Sequence, residues 1–300
     1  LHTRRGEVLR TVPRDNEAIN ECWLSDRDRY SHEGLYAEDR ATMPMIRKNG
    51  ELVETSWTEA LAFVAERLRS SGADLGALVA PLTSNEEGHL LARLVRGLGS
   101  DAIDHRLRQL DFSDASHASA FEMPVADLEK ATAILLIGCN PRHEMPLLNH
   151  RLRKAVNAGA KVHVINPLDF DFNFALAGKQ IVAPAAMVDV VLGLARAANE
   201  AGKLPASSSL AAELAKVASS DSAKALIRQL TDASASVVIL GESAVQHADA
   251  AWLRAAAKFI ARATGSACNE SPSGANAIGL ADAGVAPLQD GSNAAQMLAK

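Results

Sequence analysis

Short apolar runs alternate with segments of helical spacing along most of this 300-residue chain, and no other feature limits its fold as tightly. The clearest run, Ala131 to Gly138, is apolar at nearly every position, which suits a strand buried on both faces. Leu75 to Val79, Lys161 to Ile165 and Val237 to Leu240 read as further strands, with brief ones at Ala102-Ile103 and Ile181-Val182. Between them lie helix signals. Ser56 to Glu59 and Ser84 to Glu87 are capping boxes. Trp57, Leu61, Val64, Ala65 and Leu68 follow the first at helical spacing, and Gly72 ends that helix. Leu90, Leu91, Leu94 and Val95 follow the second as a stripe expected to be buried. Pro146 opens a third helix and Gly159 closes it. Others are expected over about 187–199, 210–218, 221–230 and 250–264. Strands joined by helical crossovers pair in parallel, so the expected fold is α/β, a doubly wound parallel sheet. Residues 56–265 are expected to fold as one unit, with strands near 75–79, 132–137, 161–165 and 237–240 all parallel.

Three regions are expected. Residues 1–55 form a small β-rich part with a hairpin around Arg5-Gly6-Glu7; residues 56–270 form the α/β domain. Residues 271–300 form a long Gly/Pro-rich loop and the start of a further segment, and both ends read as cuts through a longer protein. A net charge of −5 argues against nucleic acid as a partner. No apolar run approaches the roughly 20 residues of a membrane span, so no direct membrane insertion is expected. The three cysteines, Cys22, Cys139 and Cys268, form no Cys-x-x-Cys pair, and His105, His117 and His143 sit in separate loops. Neither set signals a metal site. Gly241-Glu242-Ser243 lacks the Gly-x-Gly-x-x-Gly fingerprint, so NAD binding is not expected. Asp169 to Phe174 places three aromatics in a polar loop, either pinned to the core or facing a neighbouring subunit.

Four motifs in order carry a resemblance. The first is Asn20-Glu-Cys-Trp-Leu-Ser25-Asp-Arg27. The second is Arg40-Ala-Thr-Met-Pro44 through Gly50 to Ser56-Trp57-Thr-Glu-Ala60-Leu61. The third is Gly138-Cys-Asn140-Pro-Arg-His-Glu144-Met-Pro146-Leu147, and the last is Gly274-Ala-Asn276 through Gly279, Asp282 and Gly284 to Pro287. Together they resemble the molybdopterin oxidoreductase superfamily. The Ser25 variant of the first and the Glu144 variant of the third are similar to the large iron–sulfur subunits of NADH-quinone oxidoreductases, respiratory complex I.

The resemblance also shows where this chain departs from the catalytic members. Their cluster-ligating Cys is replaced by Ser25, and the Lys between cluster and pterin by Arg27. A hydroxyl is a poor ligand for iron that takes thiolate. Their molybdenum-ligand position falls on Leu110, whose side chain has no lone pair. Their nucleotide loop, Pro-Gly-Thr-Asp, is Pro184-Ala185-Ala186-Met187, and their Asp-Pro-Arg is Asn166-Pro167-Leu168. The resemblance therefore implies no catalytic residue, no metal and no cofactor in this piece, with Ser25, Arg27, Leu110, Gly138, Asn140 and Pro184 as vestigial positions. Leu110 is expected to pack on apolar neighbours, with the loop Pro184 to Met187 where a guanosine would lie. Iron–sulfur clusters are expected upstream of Leu1. The implied role is a scaffold that supports electron transfer from NADH to quinone. Its implied partners are the other subunits of the peripheral arm, on the cytoplasmic side of a bacterial inner membrane. The alternative is an active molybdopterin enzyme such as a formate dehydrogenase.

Overall fold

The computed structural model describes residues 1–114, 119–202, 204–288 and 291–299. The chain forms two compact units, one of Leu1–Arg14, Cys22–Leu107 and Gly279–Lys300, the other of Asp15–Glu21 and Arg108–Ile278. The expected boundaries near residues 55 and 270 are not where these units divide.

In the first unit, β1 (His2–Arg4) and β2 (Glu7–Arg10) pair antiparallel, as do β3 (Met45–Lys48) and β4 (Glu51–Glu54). Both hairpins turn on a residue followed by Gly, each with positive φ: Arg5-Gly6 and Asn49-Gly50. Two-residue turns of the type that suits strand twist need this backbone. Strands β5 (Gly76–Leu78) and β6 (Ala102–Asp104) pair in parallel as a separate two-stranded sheet. The expectation that residues 75–79 join the main sheet is thus corrected: β5 finds its partner a few turns away in its own unit.

Helices Trp57–Ser71 and Asn85–Gly97 start at their predicted Ser caps. The second buries Gly88, Ala92 and Val95, whereas Leu90 and Leu94 are exposed, so the expected stripe is rotated. The small residues face inward because the C-terminal segment lies close. A Cβ on Gly88 would meet Leu280 Cδ2 at 2.5 Å. Leu280 and Val285 complete a small core with Val79, Ala92, Val95 and Ile103. Arg96 holds that segment by donating to the carbonyls of Gly284 and Ala286, at 2.9 and 3.0 Å. The Gly-rich stretch expected as loop therefore contains a helix, Ala277–Asp282, and feeds a core.

The second unit is built on a five-stranded parallel sheet. Its strands are β7 (Ala133–Ile137), β8 (Lys161–Asn166), β9 (Gly178–Ile181), β10 (Ser236–Leu240) and β11 (Ala267–Glu270), in the order β11-β10-β7-β8-β9. All four neighbouring pairs are parallel; helices cross over from β7 to β8 and from β10 to β11, as parallel pairing requires, while β8 reaches β9 through a helix-free segment. β11 was not expected: Ala-Cys-Asn-Glu carries little strand signal, and it pairs at an edge. Strand β7 feeds two cores. Leu135 and Ile137 pack toward helices Pro184–Glu200, Asp221–Asp232 and Ala250–Thr264, and Ile134 and Leu136 toward helix Pro146–Asn157. Phe172 and Phe174, with ring centroids 5.6 Å apart, join the second core, which favours the pinned-loop reading of that segment.

The segment Asp15–Glu21 is fastened within the second unit by charge. The buried Arg151 bridges Glu21 and Glu129 at 2.7 and 3.1 Å, and Lys154 bonds the same two carboxylates. The hydrogen bond from Lys154 is the main reason both carboxyls lie below their ordinary range. A carboxyl depressed in the folded state adds stability above its unfolded pKa and loses it as pH falls through the folded value. Acid titration below about pH 4.5 should therefore weaken the fold, and less so in the variant Glu21→Gln/Glu129→Gln. Melting temperature against pH for both proteins checks this.

Candidate functional site

Open α/β sheets take ligands at the carboxyl ends of their strands, where successive connections leave in opposite directions. Here that point lies between β7, whose connection runs to β8, and β10, whose connection runs to β11. Two turns border it: Gly138-Cys139-Asn140 after β7, and Gly241-Glu242-Ser243 after β10.

The turns are in backbone contact. The Ser243 amide donates to the Gly138 carbonyl at 3.0 Å, and that of Gly241 to Ile137 at 2.9 Å. A Cβ on Gly241 would lie 2.3 Å from Cys139 Cα, and one on Gly138 2.5 Å from the Ala244 amide nitrogen. Gly138 also has φ of 57°, which disfavours any side chain. These glycines serve the approach of one turn to the other.

The side chains complete the closure. Glu144 Oε1 accepts the Asn140 amide at 2.6 Å and Oε2 the Glu242 amide at 2.9 Å. Burial raises the Glu144 carboxyl above its ordinary value, against the pull of the two amides. Burial also holds the Cys139 thiol well above its usual range, and the Glu144 charge adds to this. Asn166, at the end of β8, accepts the Cys139 amide at 2.8 Å and donates to its carbonyl at 3.1 Å. Asn140 was expected to bond local backbone through its side chain, but its buried Oδ1 has no partner.

The other singled-out positions take no part in the bonds of these two turns. Ser25 is the N-cap of helix Asp26–Tyr30: its Oγ accepts the Asp28 amide at 3.2 Å and donates to the Asp28 carboxylate at 2.5 Å. Both of its hydrogen-bonding roles are used within its own turn. Ser25→Ala should cost about 1 kcal/mol of local stability, read as faster amide exchange at Asp28. Arg27 is exposed, 3.9 Å from Asp28, a pair of small worth. His105 is buried against the Val285 carbonyl, His143 is exposed, and His117 lies outside the described residues.

Leu110 is 68% exposed, which overturns the expectation that it packs on apolar neighbours. Its loop is held instead by polar groups that follow it. Asp111 accepts the Ala251 amide at 2.7 Å, and Asp114 receives a two-pronged bond from Arg254 at 2.6 and 2.8 Å. Leu110→Ala should accordingly change stability by no more than about 0.5 kcal/mol, measured by denaturant unfolding. Pro184 to Met187 is not a loop but the first turn of helix Pro184–Glu200, with Pro at its first position, where its missing N–H costs nothing. Met187 is buried there, and Leu168 is exposed.

Sequence reasoning gave no role to Glu144, although it stood in the quoted motif, and passed over Asp111, Asp114 and Arg254. Each acts through a partner distant in sequence, so no local pattern marks it. Among the described residues no group of three or more His, Cys, Asp or Glu side chains is arranged to hold a metal ion.

Comparison with known proteins places these features. A family model described as molybdopterin oxidoreductase matches residues 40–299. A second, described as the 4Fe-4S domain of NADH-ubiquinone oxidoreductase NDSU1/NuoG-like proteins, matches residues 1–33. The expectation that all of the cluster-bearing part lies upstream of Leu1 therefore needs correction, since a model of that domain reaches this chain. The G subunit of the NADH-quinone oxidoreductase of Rickettsia felis is 40% identical over 164 residues, covering 53% of this chain and 24% of that protein. The Rickettsia conorii counterpart is 41% identical over 162 residues with the same coverage. The chain spans about a quarter of the length of the curated relatives it matches. In fold, acetylene hydratase from Pelobacter acetylenicus superposes with a TM-score of 0.66 at 16% identity, covering 81% of this chain and 38% of that one.

Proposed function

The chain belongs to the molybdopterin oxidoreductase family, and from that premise we propose that it is a cofactor-free scaffold within the large iron–sulfur subunit of an NADH-quinone oxidoreductase. The observation that carries this is the state of the switch point. The amides of Asn140 and Glu242 are taken by the protein's own Glu144, and the two turns touch at Gly138 and Gly241. A pterin–molybdenum cofactor does not fit these residues, and Leu110 offers the metal no lone pair. Residues 1–33 by themselves do not supply the ligands of an iron–sulfur cluster either. Cys22 is the one thiol there, and the hydroxyl of Ser25 is committed to capping a helix. Clusters take about four thiolate or imidazole ligands.

The 40% identity to the Rickettsia felis protein supports the assignment of the parent protein. On this reading the piece carries no chemistry. It supports the path of electrons from NADH to quinone by packing against cluster-bearing parts and neighbouring subunits of the peripheral arm. No described helix is long and apolar enough to cross a membrane. The proposed place is the cytoplasmic face of a bacterial inner membrane, held there by those subunits.

Affinity purification of the tagged parent protein from its host tests this. The expected preparation oxidises NADH with a quinone acceptor and holds no stoichiometric molybdenum, and the isolated chain is colourless. Stoichiometric molybdenum with formate-dependent dye reduction would return the enzyme reading.

A further inference from the structure

We infer that Glu144 is a built-in clasp that occupies the switch-point crevice in place of a ligand and holds its two walls together. The inference rests on the cofactor-free reading of this site and adds the residue that closes it. One carboxylate oxygen would suffice to cap the short helix Pro141–Glu144, and Oε1 does this at the Asn140 amide, 2.6 Å away. The second oxygen is spent elsewhere, on the Glu242 amide at 2.9 Å, which belongs to the turn of a different strand. The two amides lie 102 residues apart in sequence (242 − 140) and converge on one side chain because β7 and β10 are neighbours with the same polarity.

Asn166 fixes the backbone of Cys139, the neighbour of Asn140, by accepting its amide and donating to its carbonyl. All of these groups belong to the second unit. The chain geometry aims Glu144 inward. Met145, with φ of −142° and ψ of 76°, breaks the helix before Pro146 starts the next one, so the Glu144 side chain folds back over its own turn. Together the donors form a small cradle shaped for one carboxylate, filled by the chain itself. Without that anion, two amides aimed at the same point would face each other with no acceptor, at the cost of unsatisfied buried donors.

Shortening the side chain should leave a cradle that a free carboxylate of the same size can enter. Glu144→Ala is expected to melt at lower temperature than the unmodified chain. Acetate or formate in the tens-of-millimolar range should restore at least half of the lost melting temperature, chloride at equal ionic strength should not, and neither should raise the unmodified chain. Failure of acetate and formate to rescue a folded Glu144→Ala, or an equal gain in the unmodified chain, overturns the clasp. Glu144→Gln covers the case in which the alanine variant does not fold, with amide exchange followed at Asn140 and Glu242. Both amides should exchange roughly tenfold faster or more, the scale of a lost hydrogen bond to a charged group. A change at Asn140 alone would reduce Glu144 to a helix cap and overturn the bridge. These readouts are independent of which complex the parent protein joins, so their failure leaves the scaffold reading standing.

Discussion

Arg254→Ala will destabilise the second unit by about 3–5 kcal/mol, the scale for removing one partner from a buried charge pair. Arg254 is 2% exposed, on the inner face of helix Ala250–Thr264. It donates to both oxygens of Asp114 and lies 3.6 Å from Glu270 at the end of β11. Burial raises the Glu270 carboxyl, against the pull of the Arg254 charge. Removing the guanidinium leaves two carboxylates facing each other without their cation. Because Asp114 follows Leu110 by four residues, the same change frees the loop that carries Leu110. Urea unfolding of the two proteins gives the difference. Arg254→Met with Asp114→Asn and Glu270→Gln should recover much of it, since a buried pair replaced as a whole costs far less than one broken. A loss near zero for Arg254→Ala would show that water reaches this cluster.

Gly241→Ala should cost about 3 kcal/mol or more, at or beyond the usual range for overpacking. The added methyl would sit 2.3 Å from Cys139 Cα and 2.5 Å from the Gly138 carbonyl oxygen. Both obstacles are backbone, so no side-chain rotation relieves them, and β7 and β10 are pinned on either side by parallel pairing. The turns must separate, and Glu144 then loses one of its two amides. Gly97→Ala is the control, because nothing lies within 4 Å of a Cβ there. That change should be neutral or slightly stabilising, since Gly97 closes its helix without a positive φ and alanine is the better helix former. Melting curves of the two variants would separate the close approach from a general loss of glycine flexibility.

Much of the architecture was legible because it rests on local rules. The apolar run of β7 needs burial on both faces whatever surrounds it, and the Ser caps fix where helices Trp57–Ser71 and Asn85–Gly97 begin. The proposed departures from the catalytic pattern at Ser25 and Leu110 rest on residue type alone, on which ligand chemistry depends. Other features were hidden. β11 is polar and short, and only its pairing with β10 makes it a strand. The buried face of helix Asn85–Gly97 turned on the closeness of Leu280, nearly 200 residues on, which made Gly88 face the core in place of Leu90.

The sequence by itself determined that this is an α/β chain with a parallel sheet, and it carries the proposal that the residue types for binding iron, molybdenum and a guanosine are missing from their places. Periodicity and side-chain chemistry are properties of each segment, so they need no partner to be read. The tertiary structure alone decided how the chain divides into two units, that Leu110 is exposed, and that the crevice is shut by Glu144. Each of these depends on groups far apart along the chain being brought within a few ångströms. Glu144 could cap a helix in any fold; it becomes a clasp only because parallel pairing sets the Glu242 amide beside that of Asn140.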